Sequence, residues 1–266
     1  MKGVAYQRGF SRGHGVCGKG RDRVFILGVL GAVLSGMVTL AVVSAGSNGQ
    51  TLAQGAAQSQ RFDLAVREDF FAGFAGDAEA MSRGMKRCEE ALAKDPKNAE
   101  AMVWHGSGLT FDAKRAFMAG DIEKGRQIQA QAMREMSDAV ALRPDDVSVL
   151  IPRAAVMISA ALHVPSQEVA KRDFQIGADD YEKVLKLQTP VFSGMPVHSR
   201  GELLGGLAEA WNGLGNQEKS RAYLQRMVDE LPGTLYADRA RGILSTEPKP
   251  GALGTTCLGC HSAPTM

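Results

Sequence analysis

Apolar and polar positions along the 266-residue chain fall into three regimes. Residues 24–45, VFILGVLGAVLSGMVTLAVVSA, form an uncharged run that is apolar almost throughout. Residues 61–245 instead place apolar side chains three and four apart, the spacing of one helix face, without convincing strand alternation. Residues 46–60 (GSNGQTLAQGAAQSQ) and the start of 246–266 have no period and are rich in small, polar, Gly and Pro residues. The pattern predicts an all-α body at 61–245 with flexible linkers on either side.

Within the body the clearest stretch is 203–232. Leu207, Ala208, Trp211 and Leu214 share one face of a first helix, and Gly215-Asn216 supplies a turn. Ser220, Leu224 and Met227 mark the inner face of a second helix that Pro232 closes. Counting back from Pro96 gives the same order, with Phe71-Ala72 as a large–small pair, Gly84 and Ala91 at small positions and Cys88 at a large one. Asp95-Pro96-Lys97-Asn98-Ala99-Glu100-Ala101 then leads into Trp104, His105 and Gly106 on the next helix. Ala132, Met136 and Ala139 form that helix's partner, ending at Arg143-Pro144-Asp145-Asp146. A third pair spans 147–163 and 166–187, and Leu235–Leu244 reads as a final capping helix.

This order of large and small residues resembles the tetratricopeptide repeat, a family of antiparallel helix pairs. The resemblance covers about four degenerate repeats. The closing prolines fall at 96, 144, 190 and 232, steps of 48, 46 and 42 residues, against a family period of about 34. Longer middle helices, or insertions around 117–123 and 190–199, would account for the excess. Generic helical hairpins are the plainer alternative. The resemblance implies a concave surface that binds another protein.

Charge divides the chain further. Residues 1–23 carry six basic groups against Asp22, a net of +5, and residues 24–60 carry none. With +2 overall, everything from Arg61 onward sums to −3. No basic patch for nucleic acid is indicated. Residues 1–23 read as a basic leader held in the cytoplasm, and 24–45 as a membrane segment. At about 1.5 Å per residue, these 22 residues suffice to cross the hydrocarbon core. A cleaved signal peptide would have a shorter apolar core, so the full length fits an uncleaved anchor better. Either outcome places the body outside the membrane.

The most specific chemistry lies at 257–261, Cys-Leu-Gly-Cys-His. A zinc half-site would need two further ligands, and a redox dithiol usually follows a strand in a thioredoxin-like fold. Cys-x-x-Cys-His is the spacing of c-type haem attachment, and the pentapeptide resembles the haem site of c-type cytochromes. That resemblance implies one covalent haem c, with Cys257 and Cys260 as thioether anchors and His261 as proximal iron ligand. It also implies attachment outside the cytoplasmic membrane, where the leader would deliver the body. Cys17 then stays on the cytoplasmic side. Cys88 has no exported partner and reads as a buried small hydrophobe.

Only five residues follow His261, so the motif is expected to be an appendage whose haem docks on the body or on a partner. The candidates for the distal ligand are Met266, closest in sequence, and the Met195 and His198 of a loop at 193–198, with an open site or a partner-supplied ligand as the alternative. His105 and His163 read as structural. Other constellations are bland. Glu89-Glu90, Asp145-Asp146 and Asp179-Asp180 read as solvated faces or helix ends, and 201–206 lacks the Gly-Lys-Ser/Thr of a phosphate loop. Met133, Met136, Met157 and Met227 read as packing rather than copper ligands. The expectation is a membrane-anchored, exported electron carrier with a protein redox partner, and no catalytic site. The alternative is a scaffold or assembly factor in which haem is accessory or absent. A haem peroxidase is a third, weaker reading.

Overall fold

A computed structural model describes residues 61–246, which fold into nine α-helices and one 3-10 helix, with no strand among them. The leader, the apolar run 24–45, the motif Cys257-x-x-Cys260-His261 and Met266 lie outside the described residues. The helices are α1 (Asp63–Phe74), α2 (Ala78–Lys94), α3 (Ala99–Met118), α4 (Ile122–Leu142), α5 (Val147–Ala161), α6 (Gln167–Gln188), α7 (Val197–Gly213), α8 (Gln217–Glu230) and α9 (Leu235–Leu244), with the 3-10 turn Thr189–Gly194 between α6 and α7. No helix among the described residues is long and apolar enough to cross a membrane.

Local chemistry sets the helix starts. Asp77, Asn98, Asp121, Asp146, Ser166, Asn216 and Thr234 each accept a hydrogen bond from a backbone N–H of the first turn, which satisfies a donor that helix geometry leaves open. The turn at Gly215 falls where the sequence places it, and its φ of +76° is one that side-chain-bearing residues resist.

Consecutive helices joined by these short turns pack as hairpins: α1 on α2, α3 on α4, α5 on α6 and α7 on α8, with α9 against α8. The odd-numbered helices also touch in succession, α1 on α3, α3 on α5 and α5 on α7. They therefore form a continuous row. The excess spacing of the prolines is explained by helix length in the second pair, where α3 and α4 have 20 and 21 residues and the turn between them spans only 119–121. Between α6 and α7 the explanation is the 3-10 insertion.

Two apolar cores share α5. Val149, Val156 and Met157 join Phe70, Cys88, Trp104 and Met136 in the first. Leu150, Ala154, Ala155 and Ile158 join Phe174, Tyr181, Leu204 and Leu224 in the second. A helix buried on both sides is apolar nearly all round, and α5 (VSVLIPRAAVMISAA) is so. Cys88 is fully buried and unpaired, as a small hydrophobe should be. Burial pushes its thiol pKa far upward, with the carboxylates of Glu135 and Glu89 adding to the effect.

Two local expectations are corrected. In α1 the fully buried aromatic is Phe70, with Val66 and Gly73, so the face is rotated by one residue from the Phe71-Ala72 register. Phe71 is half-buried instead. Of the pair Asp179-Asp180, only Asp179 is solvated; Asp180 is 4 % exposed because Arg153 of α5 reaches it with two hydrogen bonds of 2.7 Å.

Candidate functional site

The row of odd-numbered helices lines one groove of about 480 Å³, within the size range of cofactor and ligand clefts. Phe71 and Phe74 come from α1, Trp104 from α3, Ile151 and Ala155 from α5, and Met195, His198 and Glu202 from the start of α7 and the turn before it. Tyr181 of α6 also contributes. The walls are largely aliphatic and aromatic. At the α1 side, Arg61, Asp63, Arg67 and Glu68 give the groove a charged margin.

Trp104 is 6 % exposed, and its indole Nε1 is buried with no hydrogen-bond partner. A buried indole N–H usually finds an acceptor. Its neighbours are rings, with Phe70 5.2 Å and Phe71 6.1 Å away between centroids, and these offer it no oxygen.

Met195 and His198 sit together at the other margin. Pro196 is extended at ψ 143° and ends the 3-10 turn, and α7 begins at Val197. Met195 is half-buried and packs against the second core. His198 is exposed. Its Nδ1 lies 2.8 Å from Tyr236 Oη, and the Tyr236 hydroxyl donates to Glu202 Oε1 at 2.9 Å. Glu202 is 5 % exposed. Since the hydroxyl's one proton goes to the carboxylate, Tyr236 Oη accepts from His198 Nδ1–H. The Tyr236 hydroxyl thus links the His198 ring to the buried Glu202 carboxylate and fixes the ring's orientation.

The local sequence explains why this chain of contacts forms. Gly201 lies one helical turn after His198, directly beneath the Tyr236 ring, and a Cβ there would collide with the ring. The absence of that Cβ lets α9 bring Tyr236 flat onto α7 between His198 and Glu202. Gly206 does the same for Tyr181. Gly201 and Gly206 are thus packing notches under aromatic rings.

The other histidines among the described residues, His105 and His163, are occupied structurally. His105 is 8 % exposed, with Nδ1 2.6 Å from Glu135 and Nε2 3.9 Å from Glu89. His163 follows α5, is exposed, and donates from Nδ1 to the Ser159 carbonyl at 2.8 Å; it does not line the groove. Among the described residues no group of three or more His, Cys, Asp or Glu side chains could hold a metal ion.

The structure therefore brings together two of the distal candidates, Met195 and His198. Cys257, Cys260, His261 and Met266 lie outside the described residues. Sequence reasoning missed Tyr236 and Glu202. The available signal was the two carboxylates Glu202 and Glu209 inside the otherwise small and apolar run GELLGGLAEA, where a buried charge needs a partner.

Compared with known protein families, curated proteins and solved structures, the chain matches none.

Proposed function

We propose that this chain is an exported, membrane-anchored monohaem c-type cytochrome whose helical body holds a protein redox partner. The observation that carries the reading is the coexistence of Cys257-x-x-Cys260-His261 with an uncharged 22-residue run behind a basic leader. The first needs the compartment that the second reaches. Cys257 and Cys260 would anchor the porphyrin through thioethers, and His261 would take the proximal position. Bound haem supplies a one-electron Fe(III)/Fe(II) couple. The body fits a degenerate tetratricopeptide-like array: successive hairpins, with the first helix of each touching the first helix of the next, and a groove along that row.

The described residues are compatible with haem in two respects. The exposed imidazole of His198 is oriented by Tyr236, whose hydroxyl donates to Glu202. Beside it lies a largely apolar groove, suited to a porphyrin, whose apolar surface is costly to leave in water.

The test is covalent haem staining and a reduced α-band in protein matured with a haem-attachment system. Both are expected in the wild type and absent in a Cys257→Ala/Cys260→Ala variant. Their absence from the wild type, or their survival in the variant, overturns the reading.

A scaffold or assembly factor is the second reading, favoured by the groove that the described residues of the body line. It predicts that partner capture from solubilised membranes is indifferent to His261→Ala and to loss of haem.

A further inference from the structure

The tip of the α3–α4 hairpin departs from the other turns at its end of the body. Phe117, Met118 and Ile122, three large apolar side chains within six positions, are all exposed there, Met118 by 79 %. The equivalent turns at 75–77, 162–166 and 214–216 expose no large apolar side chain. The tip also projects. Phe74, the last residue of α1, meets Phe111 with ring centroids 5.9 Å apart, seven residues before α3 ends. At 1.5 Å per residue, α3 therefore continues about 10 Å beyond α1. Every residue from Phe117 to Lys124 is exposed, so no other described element covers the apex.

Local packing holds this shape. Gly125 lies under the Phe117 ring, where an added Cβ would collide with it, so the two helices approach closely at the tip. Gly120 turns the chain at φ +82°, and Asp121 accepts the Lys124 N–H to start α4.

Charge is arranged around the apolar residues. Lys114 stands four residues before Met118, and Arg126 four after Ile122. Each apolar side chain thus shares a helix stripe with a cation one turn further from the apex. Lys124 adds a third cation. All three are exposed and form no ion pair among the described residues. The nearby acidic groups are engaged: Asp112 with Arg115 at 3.8 Å, Asp121 in the cap, and Glu123 with the Gln127 amide at 3.0 Å.

Resting on the membrane-anchored reading above for the bilayer being at hand, we propose that this tip docks in an anionic bilayer surface. Met118 and Ile122 enter the boundary between headgroups and acyl chains, and Lys114, Lys124 and Arg126 meet lipid phosphates. Interfacial segments bury their apolar side about 5–10 Å deep, and one helical turn, about 5.4 Å, separates apolar residue from cation here. Reach allows it. Residues 46–60 number 15 and can span up to about 50 Å, against about 30 Å for the length of the 20-residue α3. Two attachments, in place of a single tether, would fix the body's orientation toward a membrane-bound redox partner.

The experiment uses the full chain reconstituted into vesicles of phosphatidylcholine, with or without phosphatidylglycerol, and reads tryptophan quenching by brominated lipid. In the anionic vesicles Met118→Trp should show blue-shifted emission and quenching beyond that of the wild type, which has its own Trp104 and Trp211. Leu142→Trp, also exposed but at the opposite end of α4, should match the wild type. Adding Lys114→Gln and Arg126→Gln to Met118→Trp should reduce the quenching, each lost cation weakening docking about fivefold. All these positions are exposed, so thermal midpoints should hold. Quenching at Met118→Trp that is no greater than at Leu142→Trp, or that ignores lipid charge, overturns the docking while leaving the anchored reading intact. A blue shift already present in detergent and growing with protein concentration does the same, since a second copy then covers the tip. Release of the wild-type chain from vesicles by an alkaline wash overturns the anchored reading itself, and the docking with it.

Discussion

Arg153 on α5 holds Asp180 on α6 through paired hydrogen bonds of 2.7 Å, with both side chains largely withdrawn from water. The pair ties the shared central helix to its hairpin partner. Removing one member leaves a buried charge uncompensated. Arg153→Ala should therefore destabilise the body by about 3–5 kcal/mol. Replacing both, Arg153→Met with Asp180→Leu, should cost far less and can be neutral. Thermal and urea unfolding followed by helical circular dichroism measure the two cases. Equal losses in single and double variants would show that the ion pair, rather than the orphaned charge, matters.

Glu135 of α4, hydrogen-bonded to His105 of α3, gives the second hairpin a pH response. Burial opposes ionisation of Glu135, yet hydrogen bonds from His105 and Gln131 prevail and hold its pKa below the ordinary carboxylate value. A depressed folded-state pKa contributes stability that is fully present above the unfolded pKa and fades as pH falls through the folded one. Stability should thus fall on acidification below the ordinary carboxylate range. Glu135→Gln should flatten that part of the curve. Unfolding midpoints from neutral to strongly acid pH are the measurement, and an unchanged slope in the variant would refute the assignment.

Two glycines in helices should respond oppositely to alanine. By intrinsic propensity alone, Gly→Ala inside a helix stabilises by about 1 kcal/mol. Gly242 in α9 is exposed, and an added Cβ would meet nothing within 4 Å, so Gly242→Ala should stabilise by roughly that amount. Gly206 faces the fully buried Tyr181 ring, where overpacking costs about 1–3 kcal/mol. Gly206→Ala should destabilise, and the same unfolding assay decides the sign of each.

Trp104→Phe tests the unpaired indole. Because Nε1 has no acceptor, the substitution loses some packing but no hydrogen bond, and it removes a desolvated donor worth about 1–3 kcal/mol. The net loss should therefore stay below about 3–5 kcal/mol, the cost of truncating a buried Trp to Ala. A larger loss would mean that the N–H is satisfied in solution.

The sequence alone determined the helical class, most helix boundaries and the residues suited to each inner face. A period of 3.6 and the Asp, Asn, Ser and Thr caps are local signals, legible without knowledge of neighbours. It also supplied the candidate haem motif and the candidate export segment, each contiguous in the chain. It could not decide which of Phe70 and Phe71 turns inward, because both suit an apolar face and the choice follows from where α2 and α3 press on α1. Nor could it separate Asp179 from Asp180, whose difference is the arrival of Arg153 from another helix. The groove and the His198–Tyr236–Glu202 contact were decided only by tertiary structure. Tyr236 is 38 residues from His198, and what joins them is the missing Cβ at Gly201, whose effect exists only once α9 has docked on α7.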